Sequence, residues 1–128
     1  MITLDANQII RLHKKILDAT GGLNGVRDET LLDSALSAAF QTFDGADFYP
    51  STAAKIARLT YGLVRNHPFH DGNKRIGTYI LTVLLELNHI GSDFTDEDII
   101  RIGLETANGK MDEKQLLEFI LKRIKILP

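Results

Sequence analysis

His67-Pro68-Phe69-His70-Asp71-Gly72-Asn73-Lys74-Arg75, running straight into Ile76-Gly77-Thr78-Tyr79-Ile80-Leu81-Thr82-Val83-Leu84-Leu85-Glu86-Leu87, is the stretch that decides how this chain folds. Its first part holds a histidine, a carboxylate, a turn glycine and two cations. The second part carries Ile76, Tyr79, Ile80, Val83, Leu84 and Leu87 at helical spacing, a wide apolar surface. The spacing predicts a helix over about 72–89, central and the most buried of the chain, ended by Gly91. Pro68 stops the helix before it, because the residue ahead of a proline avoids helical backbone angles. The polar residues therefore lie on a loop between two helices, where a rigid frame can hold functional groups.

Helical signals extend in both directions. Upstream, a helix over about 5–19 is predicted, with Asp5 and Gln8 as a capping box, Ile9, Leu12 and Ile16 on its apolar face, and Gly21-Gly22 as its end. Another covers about 28–40, capped by Asp28, with Leu31, Leu32, Ala35, Leu36 and Ala39 inward. Residues 41–50 hold the breakers Gly45 and Pro50 and three aromatics, and read as a loop folded back on the body, with room for one short strand pair near Thr42–Tyr49. A third helix covers about 51–66, capped by Ser51, with Ile56, Leu59, Thr60 and Leu63 at core spacing. Downstream, helices are predicted over about 96–108, capped by Thr95 with Asp98, and about 113–126, capped by Asp112 with Gln115. Lys122, Arg123 and Lys125 suit the negative end of that last helix. The expectation is one all-α domain, 1–128, a bundle of about six helices.

Composition bounds the function. The chain has 128 residues, 44% of them hydrophobic and 25% charged, as in an ordinary soluble globular domain. A formal net charge of −2 argues against a general nucleic-acid surface. The absence of cysteine excludes disulfides and thiolate chemistry and fits a cytoplasmic setting. No apolar run approaches the ~18 residues that cross a bilayer, and Asp5 and Asn7 interrupt any signal segment at the start.

The loop's chemistry follows from its residue types. At ~100° per residue, Lys74, Arg75 and Thr78 fall within about 60° of Asp71, opposite Ile76, Ile80, Val83 and Leu87. A polar stripe thus begins at the helix's positive end, a natural phosphate site. Gly72 lets the backbone approach a ligand, and Lys74 and Arg75 add two full charges, the arginine in a fork that fits phosphate oxygens. A carboxylate there repels phosphate unless a cation stands between them, and Mg²⁺ held by one carboxylate and substrate phosphates is a common arrangement. His67 can take a proton at neutral pH, with Phe69 as an apolar anchor for the loop. The parts suggest transfer of a phosphate-containing group from a nucleotide to a hydroxyl, a reaction that depends on positioning and charge. Taken alone, the same residues also describe a capped, solvated helix start and a loop-stabilising histidine. His13 and His89 read as helix-surface residues.

His67 through Arg75 resemble the signature loop of the Fic/Doc family, HPFx[D/E]GN[G/K]R, at every fixed position. Gly25-Val26-Arg27-Asp28, Leu31-Leu32-Asp33-Ser34-Ala35-Leu36, Gln41-Thr42-Phe43, Tyr49-Pro50 and Tyr61 to Asn66 are similar to the death-on-curing, or Doc, branch, and the resemblance spans about residues 5–125. It implies an all-α transferase using ATP and Mg²⁺. His67 would deprotonate a target hydroxyl, Asp71 would hold the metal, Gly72, Asn73, Lys74 and Arg75 would bind phosphates, and Phe69 would pack inward. Residues 42–50 would form a flap gripping the target.

Two departures separate branches. AMP-transferring Fic enzymes usually have glycine where this chain has Lys74 and a second arginine where it has Thr78. Both changes resemble the Doc branch, which transfers the terminal phosphate, with a threonine of elongation factor Tu as the known target and arrested translation as the result. The inhibitory pattern [S/T]xxxE[G/N] of many Fic proteins is absent, since no glutamate precedes Gly or Asn. Inhibition would come from a separate Phd-like antitoxin. Three other readings stay open: AMP transfer to a protein hydroxyl; a phosphohydrolase of the HD type built on His70-Asp71, for which further ligands are hard to find; and a non-catalytic, antitoxin-binding module.

Overall fold

A computed structural model describes residues 1–126. The helices are α1 (Ala6–Thr20), α2 (Glu29–Phe40), α3 (Thr52–Asn66), α4 (Asn73–Leu87), α5 (Asp96–Asn108) and α6 (Glu113–Leu121). Two small antiparallel pairs join them: β1 (Thr42–Phe43) with β2 (Ala46–Asp47), and β3 (Ile90–Ser92) with β4 (Ile124–Ile126). The fold is the expected helical domain. Capping boxes at Asp5/Gln8, Thr95/Asp98 and Asp112/Gln115 start α1, α5 and α6, each tying off two backbone donors that the helix leaves open.

The centre is shared by α3 and α4, and it is α3, with ten buried residues against eight, rather than the expected α4 that is the most buried helix. The former packs against α2, α4, α5 and α6, and Ile56, Leu59, Leu63, Val64, Ile76, Ile80, Leu81 and Leu84 are sealed from solvent between the layers. Small residues let these helices approach. A methyl group at Gly62 would stand 2.8 Å from the Ala35 Cβ on α2. Gly62→Ala is therefore expected to lower the unfolding free energy by roughly 1–3 kcal/mol through overpacking, read as a lower denaturant midpoint at an unchanged slope.

Three further expectations need correction. The last helix does not reach 126; it ends at Leu121, and residues 124–126 pair with β3. Ile124 and Ile126 favour a strand once an edge is offered, and the edge comes from residues far away in sequence. Arg123 consequently serves α5, donating Nε–H to the Asp98 carboxylate at 3.2 Å, rather than capping α6. The fourth helix ends at Leu87, two residues early. Asn88 closes it by donating from Nδ2 to the Leu84 carbonyl at 2.8 Å, and Gly91 lies within β3. Along α4, Tyr79 and Leu87 are exposed, whereas Thr78 is buried, its hydroxyl bonded to the Lys74 and Arg75 carbonyls. The polar stripe is shorter than the spacing implies.

The hairpin β1–β2 turns at Asp44-Gly45, both with positive φ (51° and 81°), the pattern that matches strand twist. Lys55 of α3 binds the Asp47 carboxylate at 3.1 Å and the Tyr49 carbonyl, and the Tyr49 hydroxyl binds Glu113. The hairpin base is thus tied to α3 and α6, while Phe43 and Phe48 stand exposed.

Candidate active site

His67, His70, Asp71, Gly72, Asn73, Lys74 and Arg75 line one cleft of about 250 Å³ at the N-terminus of α4. His67 closes α3 in the left-handed region (φ 51°), which turns the chain sharply toward Pro68. Arg27 holds that turn, donating Nε–H to the His67 carbonyl at 2.7 Å and Nη2–H to the Asn66 carbonyl at 3.1 Å. The Pro68 carbonyl accepts from the N–H groups of Arg27 and Asp28, and His70 N–H donates to the Gly25 carbonyl. The segment before α2 thus laces the loop in place from one side.

Asn73 laces it from the other. Its Oδ1 accepts the Phe69 N–H and its Nδ2 donates to the Phe69 carbonyl, both at 3.0 Å, which fixes the amide orientation. The remaining Nδ2 hydrogen faces His67 Nδ1 at 3.3 Å. Phe69 itself is 1% exposed and stacks on His13 of α1, ring centroids 3.7 Å apart and planes 10° from parallel.

At the helix start, Gly72 takes the N-cap position with φ 76°, and among the described residues no side chain caps α4. The first-turn N–H groups are left for a ligand. The Asp71 carboxylate sits at the rim. It accepts the N–H of Leu23 at 3.1 Å and of Gly72 at 2.8 Å, and these bonds, with the nearby Arg75 charge, hold its carboxyl below the usual carboxylate range. Arg75 donates from Nη1 to the Thr20 hydroxyl and the Gly21 carbonyl, both at 2.7 Å, and its Nη2 lies 3.6 Å from Asp71. Lys74 is exposed at the cleft, with no ion pair among the described residues.

These groups suit a magnesium nucleotide. The Asp71 carboxylate is ionised and half exposed beside an uncapped helix end, so one carboxylate with phosphate oxygens could hold a hard cation. Among the described residues no three His, Asp, Glu or Cys side chains converge on a metal position, so the ligand set of an HD phosphohydrolase is not assembled around His70 and Asp71.

His13 was expected on the surface and is instead 2% exposed, with Nε2 bonded to the Asp71 carbonyl at 2.7 Å. The signal was in the spacing: Ile9, His13 and Leu17 are four apart and form the buried line of α1. Burial, the largest cause, pushes the His13 pKa down, assisted by Arg75 and opposed by the bond to Asp71. The unfolded chain then takes up the proton first. Stability is full above about pH 6.5 and falls as the pH drops through that value toward the lower folded pKa. Urea midpoints taken between about pH 8 and about pH 5 are expected to fall on the acid side, and to fall less in His13→Gln.

A six-helix domain with a histidine, a carboxylate and a cationic, uncapped helix start around one cleft defines the class, and sequence comparison agrees. The chain belongs to the Fic/Doc family: the family model described as "Fic/DOC family" matches residues 3–85, well over half of the chain, including the whole of this loop. It is similar to the protein named Toxin Doc from Mycolicibacterium smegmatis (strain ATCC 700084 / mc(2)155), 40% identical over 78 residues that cover 59% of this chain and 60% of the relative. The chain thus aligns with about 60% of that protein's length. No helix among the described residues is long and apolar enough to cross a membrane.

Proposed function

We propose that this chain is a Doc-type toxin of a toxin–antitoxin pair, transferring the terminal phosphate of ATP to a hydroxyl of a translation factor such as elongation factor Tu. The observation that carries the reading is the convergence of His67, Asp71, Asn73, Lys74 and Arg75 on one cleft at an uncapped helix start. The first-turn N–H groups and Lys74 bind phosphate oxygens. Arg75 adds charge while its Nη1 stays tied to Thr20 and Gly21. Asp71 would hold Mg²⁺, which supplies charge neutralisation on the phosphates when bound. Thr78, buried under its own helix turn, brings no second guanidinium, and Lys74 occupies the place where AMP-transferring relatives have glycine; both favour terminal-phosphate transfer.

His67 takes the hydroxyl proton. The Asn73 amide N–H faces its Nδ1 at 3.3 Å and orients the ring. The exposed Phe43 and Phe48 of the hairpin form an apolar edge for gripping a protein target. Inhibition falls to a separate Phd-like antitoxin.

The test is incubation with a bacterial lysate and ATP labelled at the alpha or the gamma phosphate, antitoxin removed. Gamma label on a protein is the expected result. Alpha label instead overturns phosphate transfer in favour of AMP transfer, and no label from either favours a non-catalytic module.

A further inference from the structure

The peptide joining Asp71 to Gly72 sits at the point where the loop becomes helix, and it has two faces. In a trans peptide the carbonyl and the N–H point in opposite directions, and no cis bond occurs among the described residues. Here the carbonyl points at α1, toward His13 Nε2 at 2.7 Å. The N–H of Gly72 therefore points the other way, toward the Asp71 carboxylate, which accepts it at 2.8 Å. A half-turn of this plane would change mainly the ψ of Asp71 and the φ of Gly72. Glycine adopts either sign of φ at similar cost, so the glycine that permits φ 76° here does not by itself choose that face.

We propose that His13 is a positioning residue for this site, its Nε2–H latching the Asp71 carbonyl so that the Gly72 N–H faces the Asp71 carboxylate at the rim of the cleft. The alternative face would withdraw one of the two amides that hold the carboxylate and turn a carbonyl oxygen toward that carboxylate instead. An oxygen lone pair there repels an anion as surely as the N–H attracts one. The latch is rigid because its ring is fixed. His13 is buried, lies flat against Phe69, and a methyl at Gly72 would come within 3.5 Å of its Nε2 and 2.8 Å of the Leu17 side chain. A carbonyl can only accept, so Nε2 is the protonated nitrogen. His13 is buried and does not line the cleft; it acts through the peptide.

This deepens the proposed transferase reading and rests on it for the kinetic part of its test. Two variants separate the latch from simple packing. His13→Phe keeps a flat ring against Phe69 and removes the donor. His13→Gln places an amide N–H near the position of Nε2. The Gly72 amide is followed by its proton chemical shift and hydrogen exchange, alongside Mg-ATP affinity, kcat and KM for label transfer, and the unfolding midpoint. In His13→Phe the Gly72 amide is expected to lose its downfield shift and protection, and Mg-ATP affinity to fall about tenfold, what one lost hydrogen bond is worth. His13→Gln is expected to recover both, whichever way the unfolding midpoints move. A His13→Phe protein with the wild-type Gly72 signal and wild-type affinity overturns the latch even if transfer is confirmed. Conversely, a wild-type chain that transfers no label, but whose Gly72 amide responds as described, keeps the latch and removes the transferase reading.

Discussion

Alanine in place of His67 is expected to slow label transfer by ~10²–10⁴, the usual worth of a positioned proton acceptor, with the fold intact. The two halves of that expectation rest on different observations. The imidazole is exposed, and among the described residues its one hydrogen bond is the 3.3 Å contact with Asn73, whose Nδ2 keeps its bond to the Phe69 carbonyl, so truncation leaves neither a cavity nor a buried atom without a partner. What holds the turn is the backbone. The His67 and Asn66 carbonyls are bonded by Arg27, and the Pro68 carbonyl accepts two N–H groups; none of these needs the ring. Alanine must still sit at φ 51°, which costs about 1–2 kcal/mol for any residue with a Cβ and is already borne by the histidine. Initial rates with gamma-labelled ATP and the labelled target, beside a urea midpoint, check both halves. A rate within about threefold of wild type, at a level a general base could not leave behind, would remove His67 from the chemistry. Loss of fold would instead show that the ring does structural work that its exposure does not suggest.

The parts of this molecule that could be read from sequence are those whose partners lie close along the chain. Each capping box is a three-residue relation, and the chain carries it openly at Asp5/Gln8, Thr95/Asp98 and Asp112/Gln115. The residues of the cleft are also contiguous, so one loop announces all of them. What the sequence hid is non-local and made by backbone. The end of α6 depends on β3, whose Ile90 to Ser92 edge turns the last described residues into a strand. The clamp on the loop uses the N–H groups of Leu23, Arg27 and Asp28 and the Gly25 carbonyl, and a backbone donor has no residue type by which to recognise it. Arg27 is the exception, a side chain spent on the carbonyls of Asn66 and His67. Thr78 misled for a related reason. Its angle on the helix wheel places it beside Asp71, but α5 covers that side: a methyl at Gly103 would stand 3.4 Å from the Lys74 Cβ and 3.7 Å from the Thr78 Cγ2. A helix wheel knows the direction of a side chain and not what packs over it.

Phe69→Ala is expected to cost about 3–5 kcal/mol of stability, the range for a fully buried phenylalanine, out of a total that for a domain of this size is about 5–15 kcal/mol. The ring is 1% exposed and belongs to the main core alongside Ile9, Leu32 and Leu63. Its removal opens a cavity under the loop and strips the stacked partner from His13. The damage should not stop at the core. The Phe69 backbone is what orients the Asn73 amide, and Asn73 faces His67, so a loop that loses its anchor also loosens the His67 ring. Phe69→Leu, which keeps apolar volume, is expected to lose about 1–1.5 kcal/mol and to retain more transfer activity than its stability alone would predict for the alanine variant. Denaturant titrations at a constant slope give the stabilities, and rates measured well below each midpoint give the activity of the folded fraction. If the alanine variant is destabilised by under about 1 kcal/mol, the cavity has closed by movement of the loop. In that case the cleft itself must have shifted, and the folded fraction should transfer label more slowly than wild type by the same movement.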